Sequence, residues 1–253
     1  MNQQPIALIT GGSRGLGRSM AEHLAKRGVG VIITYRDRAD AAAEVVSSIK
    51  SAGQKSVALQ LDAADSSSFS AFAERVRGAL TEHFAAERLD YLVNNAGTGL
   101  HAAFLETTEA QFDDLMRIHV KGPFFLTQKL APLMRDGGRI LNLSSGLARF
   151  TLPGYAAYAT MKGAIEVLTR YQAKELGGRQ IAVNTLAPGA IETDFGGGVV
   201  RDNAQVNAMI ASQTAMGRVG LPNDIGAAVS MLLSPELGWM TGQRLELSGG
   251  QGI

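Results

Sequence analysis

The sequence contains no cysteine and no long uninterrupted hydrophobic segment. The first absence excludes disulfides, thiolate metal sites and cysteine nucleophiles. The second argues against a membrane-spanning helix, which needs about 20 consecutive apolar residues. Residues 1–10 also lack the basic and apolar regions of a secretory signal peptide, so we expect a cytoplasmic protein.

An excess of charge of either sign is missing too. Lys and Arg number 24 and Asp and Glu number 23, which gives a formal net charge of +1. This balance favours neither a nucleic acid nor an anionic membrane as a partner. The chain has 253 residues, 45% of them hydrophobic, which is enough for a sizeable core. No linker or repeat divides it, so we expect a single domain over residues 1–253.

Short apolar runs alternate with longer helical patterns along the whole chain. The runs that predict strands are 6–10, 31–35, 56–61, 89–94, 139–143, 181–186 and 243–247. The segments that predict helices are 15–27, 39–52, 66–86, 109–135, 154–176 and 225–234. This alternation is typical of βαβ units with right-handed crossovers. We therefore predict an α/β fold, a doubly wound sheet of about seven parallel strands with helices on both faces and ligands at the carboxyl ends of the strands.

A glycine-rich loop, Thr10 to Gly17, joins the first strand to the first helix and reads TGGSRGLG. Glycines let the backbone N–H groups approach a pyrophosphate, and the N-terminus of the following helix favours its charge. A sharp connection, another nucleotide or a methyl donor would also suit a loop of this kind. The residues that we expect to contact a dinucleotide here are Gly11, Ser13, Arg14, Gly15, Leu16 and Gly17.

Tyr158 and Lys162 stand four residues apart on a predicted helix and so project from one face of it. This pair by itself is a weak signal, because a packed tyrosine beside a solvated lysine has the same spacing. Two further motifs strengthen it: Asn94 to Gly97 follows the fourth strand, and Ser144-Ser145 follows the fifth. All of them fall where doubly wound sheets bind ligands.

In this order the motifs resemble those of the short-chain dehydrogenase/reductase family, over essentially the whole chain. The matching pieces are TGGSRGLG at 10–17, Asp62, NNAG at 94–97, Ser145 before Tyr158, YATMK at 158–162, Pro188-Gly189 with Thr193, and MTGQRLELSGG at 240–250. The resemblance implies a Rossmann-type domain and is nearest to the ketoreductase branch, which includes 3-oxoacyl-carrier-protein reductases and carbonyl reductases.

The implied reaction is hydride transfer between a nicotinamide and a small-molecule carbonyl or alcohol, without a metal. The resemblance makes Tyr158 the general acid, and it makes Ser145 the group that binds the substrate oxygen. Lys162 would lower the pKa of Tyr158 and hold the nicotinamide ribose. Ser144 competes with Ser145, but it lies one residue too far from Tyr158. An NAD-linked alcohol or sugar dehydrogenase and a redox-silent dinucleotide-binding regulator are the alternative functions.

The end of the second strand bears on the choice of cofactor. NAD is usually matched there by an acidic residue and NADP by arginine. Tyr35 stands where NAD-linked relatives look acidic, and Arg36 follows, with Arg14 expected nearby. We therefore predict NADPH (or NADP), although Asp37 would suit a free ribose. The resemblance adds as dinucleotide contacts Asp62, Ala63, Asn95, Ala96, Gly97, Tyr158, Lys162, Pro188, Gly189, Ile191 and Thr193.

The substrate side is less well defined. We expect a mobile lid over residues 194–217, because three consecutive glycines, 196–198, form a plausible hinge. The residues expected to line the pocket are Ser145, Tyr158, Leu147, Phe150 and His101, with Arg149 as a further polar contact. By the same resemblance we expect a homotetramer, joined through the helices after strands four and five and through the last strand.

His119 is the main departure from the family pattern. It stands where the family usually has an asparagine that holds a water in a proton relay toward the lysine. An imidazole both donates and accepts hydrogen bonds, so His119 would keep the relay or add pH sensitivity near neutrality. A packed histidine without a catalytic part is the alternative.

Overall fold

The computed structural model describes residues 4–253, which form a seven-stranded parallel sheet of order β3-β2-β1-β4-β5-β6-β7. The order reverses between β1 and β4, and this reversal opens a crevice at the carboxyl ends of the strands. The predicted doubly wound α/β fold is therefore confirmed. The strands are β1 (Ile6–Ile9), β2 (Gly30–Tyr35), β3 (Ser56–Gln60), β4 (Leu89–Asn94), β5 (Met134–Leu143), β6 (Ala182–Pro188) and β7 (Arg244–Leu247).

Helices cover both faces because successive side chains of each buried strand point to opposite sides. Ile6 and Leu8 enter one core with the helices over residues 69–79 and 122–130. Ala7 and Ile9 enter the other core with the helices over residues 15–26, 39–51 and 222–232. In residues 4–253 no helix has the length and apolar character needed to cross a bilayer. The helices are α1 (Gly15–Lys26), α2 (Ala39–Ser51), α3 (Phe69–Ala79), α4 (Glu109–Met116), α5 (Gly122–Leu130), α6 (Ala156–Leu176), α7 (Val199–Asp202), α8 (Ala204–Ser212) and α9 (Pro222–Leu232).

The predicted helix over 109–135 is wrong in two respects. A five-residue π turn, Arg117–Lys121, interrupts it between α4 and α5. It also ends early, in a 3₁₀ turn that contains Pro132, and β5 already begins at Met134. Proline cannot donate a backbone hydrogen bond, which favours the end of the helix here. The register between β4 and β5 shifts to accommodate the extra residues before Arg139.

Other boundaries move by a few residues for local reasons. α6 begins at Ala156 because Gly154, with φ +86°, turns the chain just before it. α9 begins at Pro222, three residues earlier than predicted. There the Asp224 carboxylate accepts a hydrogen bond from the Leu221 N–H at 2.8 Å and caps the helix. The predicted third helix is divided into a 3₁₀ turn, α3 and a second π turn, Leu80–Phe84.

A chain of buried amides and hydroxyls fixes the ends of the central strands. The Asn94 side chain donates to Asn142 Oδ1 at 2.8 Å and to Thr127 Oγ1 at 3.0 Å. Asn142 in turn donates to Thr169 Oγ1 on α6 at 2.9 Å. Buried polar groups are costly unless paired, so these bonds specify how β4, β5 and α6 fit together. Apart from the motif that contains Asn94, no pattern in the sequence predicted this network.

Candidate active site

The glycine loop has the backbone that its sequence requires. Gly11 and Gly15 have φ of +65° and +54°, a region that residues with a Cβ rarely adopt. A Cβ at Gly17 would lie 2.2 Å from the Gly11 carbonyl oxygen, so no larger residue fits the start of α1 without movement. The loop thus leads into the N-terminus of α1, where the first backbone N–H groups have no partner within the helix, which is a good anion-binding arrangement.

The motif after β4 holds this loop in place. Asn95 Nδ2 donates to the carbonyl oxygens of Thr10 at 2.8 Å and Gly11 at 3.1 Å. The Thr10 hydroxyl accepts from the backbone N–H groups of Asn95 and Ala96, both at 2.9 Å. A Cβ at Gly97 would meet the ring of His119 at 2.6 Å, so this glycine admits the imidazole. The motif therefore lies between the glycine loop and the imidazole of His119.

Tyr158 and Lys162 are buried together on α6, with 7% and 6% of their surface exposed. Lys162 Nζ lies 5.4 Å from the centroid of the Tyr158 ring and donates to the Leu143 carbonyl at 2.8 Å. Ser145 is the second residue after β5, and its hydroxyl interacts with the phenol of Tyr158. The structure thus brings these three predicted residues together at the carboxyl end of β5.

Burial dominates the titration of both side chains. It raises the pKa of Tyr158, with Tyr155 adding to the effect and the Ser145 hydroxyl opposing it. Burial also lowers the pKa of Lys162 from its ordinary 10.5 to about 7. Burial of the phenolate is thus the largest influence on the pKa of Tyr158 in this structure, and the lowering of that pKa by Lys162 stays a prediction. Tyr158 keeps its proton at neutral pH.

Ser144 has a different environment from Ser145. Its hydroxyl donates to Glu166 Oε1 at 2.7 Å and lies 3.2 Å from the Lys162 carbonyl oxygen. The Ser145 hydroxyl accepts from the Leu147 N–H at 3.2 Å and interacts with the Tyr158 phenol. The geometry favours Ser145 as the substrate-binding serine and gives Ser144 a structural role between β5 and α6.

His119 lies within the π turn, 2% exposed, with its ring edge-on to Tyr158 at a centroid distance of 5.3 Å. Nε2 donates to the Thr98 carbonyl at 2.7 Å, and Nδ1 is buried without a hydrogen-bond partner among the described residues. Burial, helped by Lys162, lowers the pKa of His119 to about 3. The imidazole is neutral from mildly acidic pH upward, so the expected pH sensitivity near neutrality is wrong.

This neutrality predicts the behaviour of His119→Asn. If His119 does not titrate in the working range, the variant keeps the shape of the wild-type pH profile of kcat between pH 5 and 8. Its stability to acid should improve. The native state resists protonation of His119 below pH 6.5, so wild-type stability falls as the pH drops from there toward 3. Melting temperatures at pH 4.5 and pH 8 measure the difference in stability. An inflection near pH 6.5 in the kcat profile of the wild type that the variant lacks would show that His119 titrates and contradict the prediction.

A cavity of about 470 Å³ lies at the ends of β2 and β3. Its lining includes Arg36, Asp37, Asp62 and Arg75. Arg36 Nε pairs with Asp37 at 2.6 Å, and both side chains are exposed. Asp62 is turned toward its own loop, where it accepts from the Ala64 N–H at 2.9 Å. The predicted dinucleotide contacts Asp62 and Arg36 therefore border the same space.

Arg14 and Ala63 have other neighbours. Arg14 pairs with Asp194 at the start of the predicted lid, at 3.7 Å. That Arg14 and Arg36 together hold a 2′-phosphate stays a prediction. Ala63 supports α5, since a Cβ at Gly122 would meet its carbonyl oxygen at 2.3 Å. Tyr35 packs on the edge of the core beside α1 and α2.

The segment after β6 approaches the glycine loop. The Gly189 N–H donates to the Leu247 carbonyl at 3.0 Å, which extends the pairing of β6 and β7 beyond Pro188. Ile191 forms an isolated bridge with Gly220. A Cβ at Gly15 would lie 3.6 Å from Thr193, so the threonine stands directly beside the loop. These four predicted contacts thus line one side of the crevice.

The predicted lid, residues 194–217, contains a 3₁₀ turn, α7 and α8. Gly196, Gly197 and Gly198 all have positive φ, as a glycine hinge requires. Sequence reasoning missed Phe195 just before them. Its ring lies 5.8 Å from that of Tyr158, and a Cβ at Gly99 would meet it at 2.9 Å. An aromatic residue at the edge of a glycine hinge is the signal that would have singled it out.

The expected pocket residues separate into two groups. Leu147 packs in a small cluster with Leu115, Tyr158 and Met161. His101 contacts the Tyr155 ring edge-on at 5.0 Å and fills the space beside Gly154.

Phe150 and Arg149 belong to the second group. Phe150 contacts Gly146 and Gly252, and the Arg149 guanidinium lies 5.4 Å above its ring. Arg149 itself binds Glu246 and the carbonyls of Gln251 and Gly252. Arg149 therefore joins its own segment to β7 and the residues after it, and its contact with substrate stays a prediction.

Comparison with known proteins agrees with this arrangement. A family model described as "Enoyl-(Acyl carrier protein) reductase" matches residues 11–251. The chain is 36% identical to the tetrahydroxynaphthalene reductase PfmaG of Pestalotiopsis fici, over 97% of this chain and 90% of that protein.

Two solved structures are similar in fold as well as in sequence. One is the angucycline C-6 ketoreductase LanV with bound NADP, with a TM-score of 0.93 and 36% identity over 98% of this chain and 95% of that one. The other is a short-chain dehydrogenase/reductase from Serratia marcescens, with a TM-score of 0.91 and 33% identity over 99% of both chains. With the fold, the glycine loop and the Ser145, Tyr158 and Lys162 arrangement, these matches identify the chain as an oxidoreductase of the short-chain dehydrogenase/reductase family.

Proposed function

We propose that this protein reduces a ketone with NADPH and that Tyr158 donates the proton to the carbonyl oxygen. The observation that carries the proposal is the burial of Tyr158 and Lys162 beside Ser145 at the carboxyl end of β5. A phenol that keeps its proton at neutral pH is suited to act as an acid. The arrangement lies on β5, the strand next to the switch point between β1 and β4, where such folds bind dinucleotides.

The residues around the crevice fit a dinucleotide. A Cβ at Gly17 would intrude on the loop where the backbone must approach a pyrophosphate, and the glycine leaves that space open. When bound, the dinucleotide supplies the hydride. The glycine loop would hold its phosphates, Asp62 and Ala63 the adenine, and Lys162 the nicotinamide ribose. Asn95 to Gly97 and Pro188 to Thr193 would enclose it from either side.

The role of each catalytic side chain follows from its surroundings. Ser145 would orient the substrate oxygen toward the Tyr158 hydroxyl, with which its own hydroxyl interacts. Lys162, with a pKa of about 7, would gain or lose a proton readily near neutrality and so help to restore the proton of Tyr158. His119 would present Nδ1 as an acceptor, because Nε2–H is engaged with Thr98. In this role it would hold a water or the lysine without carrying charge.

NADPH is favoured over NADH by Arg36, whose guanidinium borders the cavity at the end of β2. Arginine binds a phosphate through forked, charge-assisted hydrogen bonds. Asp37 favours the alternative function, an NAD-linked dehydrogenase. Its carboxylate pairs with Arg36 and would also suit a free ribose hydroxyl. The balance between these two side chains decides the cofactor.

We expect Arg36→Asp to reverse the preference for cofactor. The change removes the cation and places a carboxylate where a 2′-phosphate would lie, so the affinity for NADPH should fall by about 10- to 100-fold while that for NADH falls little or rises. Titration of nicotinamide fluorescence measures both dissociation constants. Arg38→Asp, two residues further along, is the matched control. An unchanged NADPH/NADH ratio in Arg36→Asp would exclude the phosphate contact.

For the substrate we favour a ketone on a planar aromatic system. The related proteins PfmaG and LanV are named for the reduction of a hydroxynaphthalene and an angucycline. In this chain Phe195, Tyr155 and Leu147 surround Tyr158 with aromatic and apolar surface. Such a wall suits a fused ring better than the flexible polar arm of a 3-oxoacyl thioester. Oxidation of NADPH with 2-tetralone and with an acetoacetyl thioester tests this choice, and faster reduction of the thioester would overturn it.

We also propose that the protein is a homotetramer. Large apolar side chains are exposed on α4 and α5, the helices that the family resemblance places in a subunit interface. They are Phe112, Met116, Phe124 and Phe125. Trp239 near β7 is fully exposed as well and would belong to a second interface. Light scattering on the purified protein measures the mass directly.

A further inference from the structure

Four side chains of alternating charge form a continuous chain behind the catalytic serine. Glu166 on α6 accepts from Arg244 Nε at 2.7 Å, and Arg244 Nη1 donates to Glu246 at 2.8 Å. Glu246 in turn binds Arg149 through both carboxylate oxygens, at 2.8 and 2.6 Å. We call Glu166, Arg244, Glu246 and Arg149 the charge chain. Its members are neither dinucleotide contacts nor substrate contacts in the proposed function.

The charge chain contacts the segment that carries Ser145 at several points. Glu166 accepts from the Ser144 hydroxyl at 2.7 Å, and Arg244 Nη2 approaches the Ser145 carbonyl at 3.4 Å. Arg149 lies on the far side of the same segment. It donates to the carbonyls of Gln251 at 2.8 Å and Gly252 at 3.1 Å. Residues 144–149 are therefore held at both ends by β7 and the residues that follow it.

Ser145 needs such external support because it lies outside the helix that carries its partners. Tyr158 and Lys162 are fixed to each other by α6, whose inner face is anchored by the buried Met161 and Ile165. Ser145 follows β5 on a separate segment, and its side chain accepts one backbone hydrogen bond within that segment. The distance between its hydroxyl and Tyr158 thus depends on how this segment is attached to α6. Glu166, one turn beyond Lys162, makes that attachment through Ser144.

Arg244 is the central member of the charge chain. Its planar guanidinium contacts Glu166, Glu246 and the Ser145 carbonyl at once, a geometry that the single ammonium of lysine does not reproduce. The carboxylates on either side are largely buried, with 16% and 17% of their side chains exposed. Without Arg244 two partly buried carboxylates would lose a shared cation, so they would separate or take up water. Either change would move the Ser145 segment.

We infer that Arg244 is a positioning residue for Ser145, acting through the charge chain and not through contact with the reacting atoms. The inference rests on the proposed ketone reduction, in which Ser145 orients the substrate oxygen. Displacement of a catalytic group by about 1 Å costs on the order of 100-fold in rate. The loss should appear in kcat, because binding of the dinucleotide does not involve this segment.

A double-mutant cycle tests the inference. We expect Arg244→Met to lower kcat for NADPH-dependent reduction of 2-tetralone by about 10- to 100-fold while the dissociation constant for NADPH stays the same. In a Ser145→Ala background the same change should have little further effect, because the group that Arg244 positions is already gone. Equal losses in both backgrounds would reduce Arg244 to a general structural residue and overturn the inference. Arg244→Lys should retain part of the activity, since it keeps the charge but loses the fork.

Hydrogen exchange supplies a readout that does not depend on activity. In Arg244→Met the peptide that covers residues 144–150 should exchange faster, while a peptide within α3 stays unchanged. Arg77→Met is the matched control, since Arg77 forms an exposed ion pair with Glu74 at 3.2 Å far from the site. If the wild type fails to reduce any ketone, the proposed function falls, but the exchange still decides whether Arg244 holds the segment. Unaltered exchange over 144–150 would overturn the inference even with an active enzyme.

Discussion

Tyr158→Phe is expected to lower kcat by about 10²- to 10⁴-fold, the usual contribution of a positioned general acid. The phenolic hydroxyl is the group that faces Ser145, and its raised pKa keeps the proton available at neutral pH. Phenylalanine fills the same place among Leu115, Met161 and Leu147, so the fold and the dinucleotide crevice should be unaffected. Consumption of NADPH with a saturating ketone measures the loss.

The control for this prediction is Tyr155→Phe. Tyr155 precedes α6 by one residue, packs in the same cluster and contacts His101, but it has no lysine four residues after it. Its substitution should change kcat by far less. Titration with NADPH completes the comparison, because both variants should bind the dinucleotide as the wild type does. Wild-type turnover in Tyr158→Phe would show that the acid is another group or a water.

Lys162→Met should remove most of the activity and at the same time make the free protein more stable at low pH. Burial lowers the pKa of Lys162 from 10.5 to about 7, so the native state binds this proton less tightly than the unfolded chain. The resulting penalty is fully present below pH 7 and fades as the pH rises from 7 to 10.5. Methionine has a similar shape and no charge, so it avoids the penalty. The gain in melting temperature should therefore be large at pH 6 and small at pH 10.

Lys174→Met on the same helix is the matched control. Lys174 is exposed near the end of α6, so its removal should change the melting temperature little at either pH. Thermal unfolding of the three proteins in the absence of cofactor, across pH 6 to 10, measures the difference between wild type and variant. A gain that is independent of pH would mean that the ammonium of Lys162 is not what the fold disfavours. A loss of stability would mean that its bond to the Leu143 carbonyl outweighs its desolvation.

The sequence by itself determined the elements, their order and the chemistry assigned to the site. The short apolar runs and the glycine loop are local properties, so they could be recognised before any contact was known. The pairing of Tyr158 with Lys162 could be predicted for the same reason, because a spacing of four residues on a helix places two side chains on one face. The family resemblance then covered the whole chain, and the comparisons confirm the family.

Only the tertiary structure decided the questions that depend on residues far apart in sequence. Burial by several elements at once lowers the pKa of His119 and raises that of Tyr158. The spacing to Tyr158 already favoured Ser145 over Ser144, but the bond between the Ser144 hydroxyl and Glu166, about twenty residues further along the chain, was visible only in the structure. Arg149 was assigned to substrate from its place in sequence, whereas the fold brings Glu246 to it from almost a hundred residues away. Desolvation and ion pairing are set by what surrounds a group in space, and no local pattern in the sequence records that.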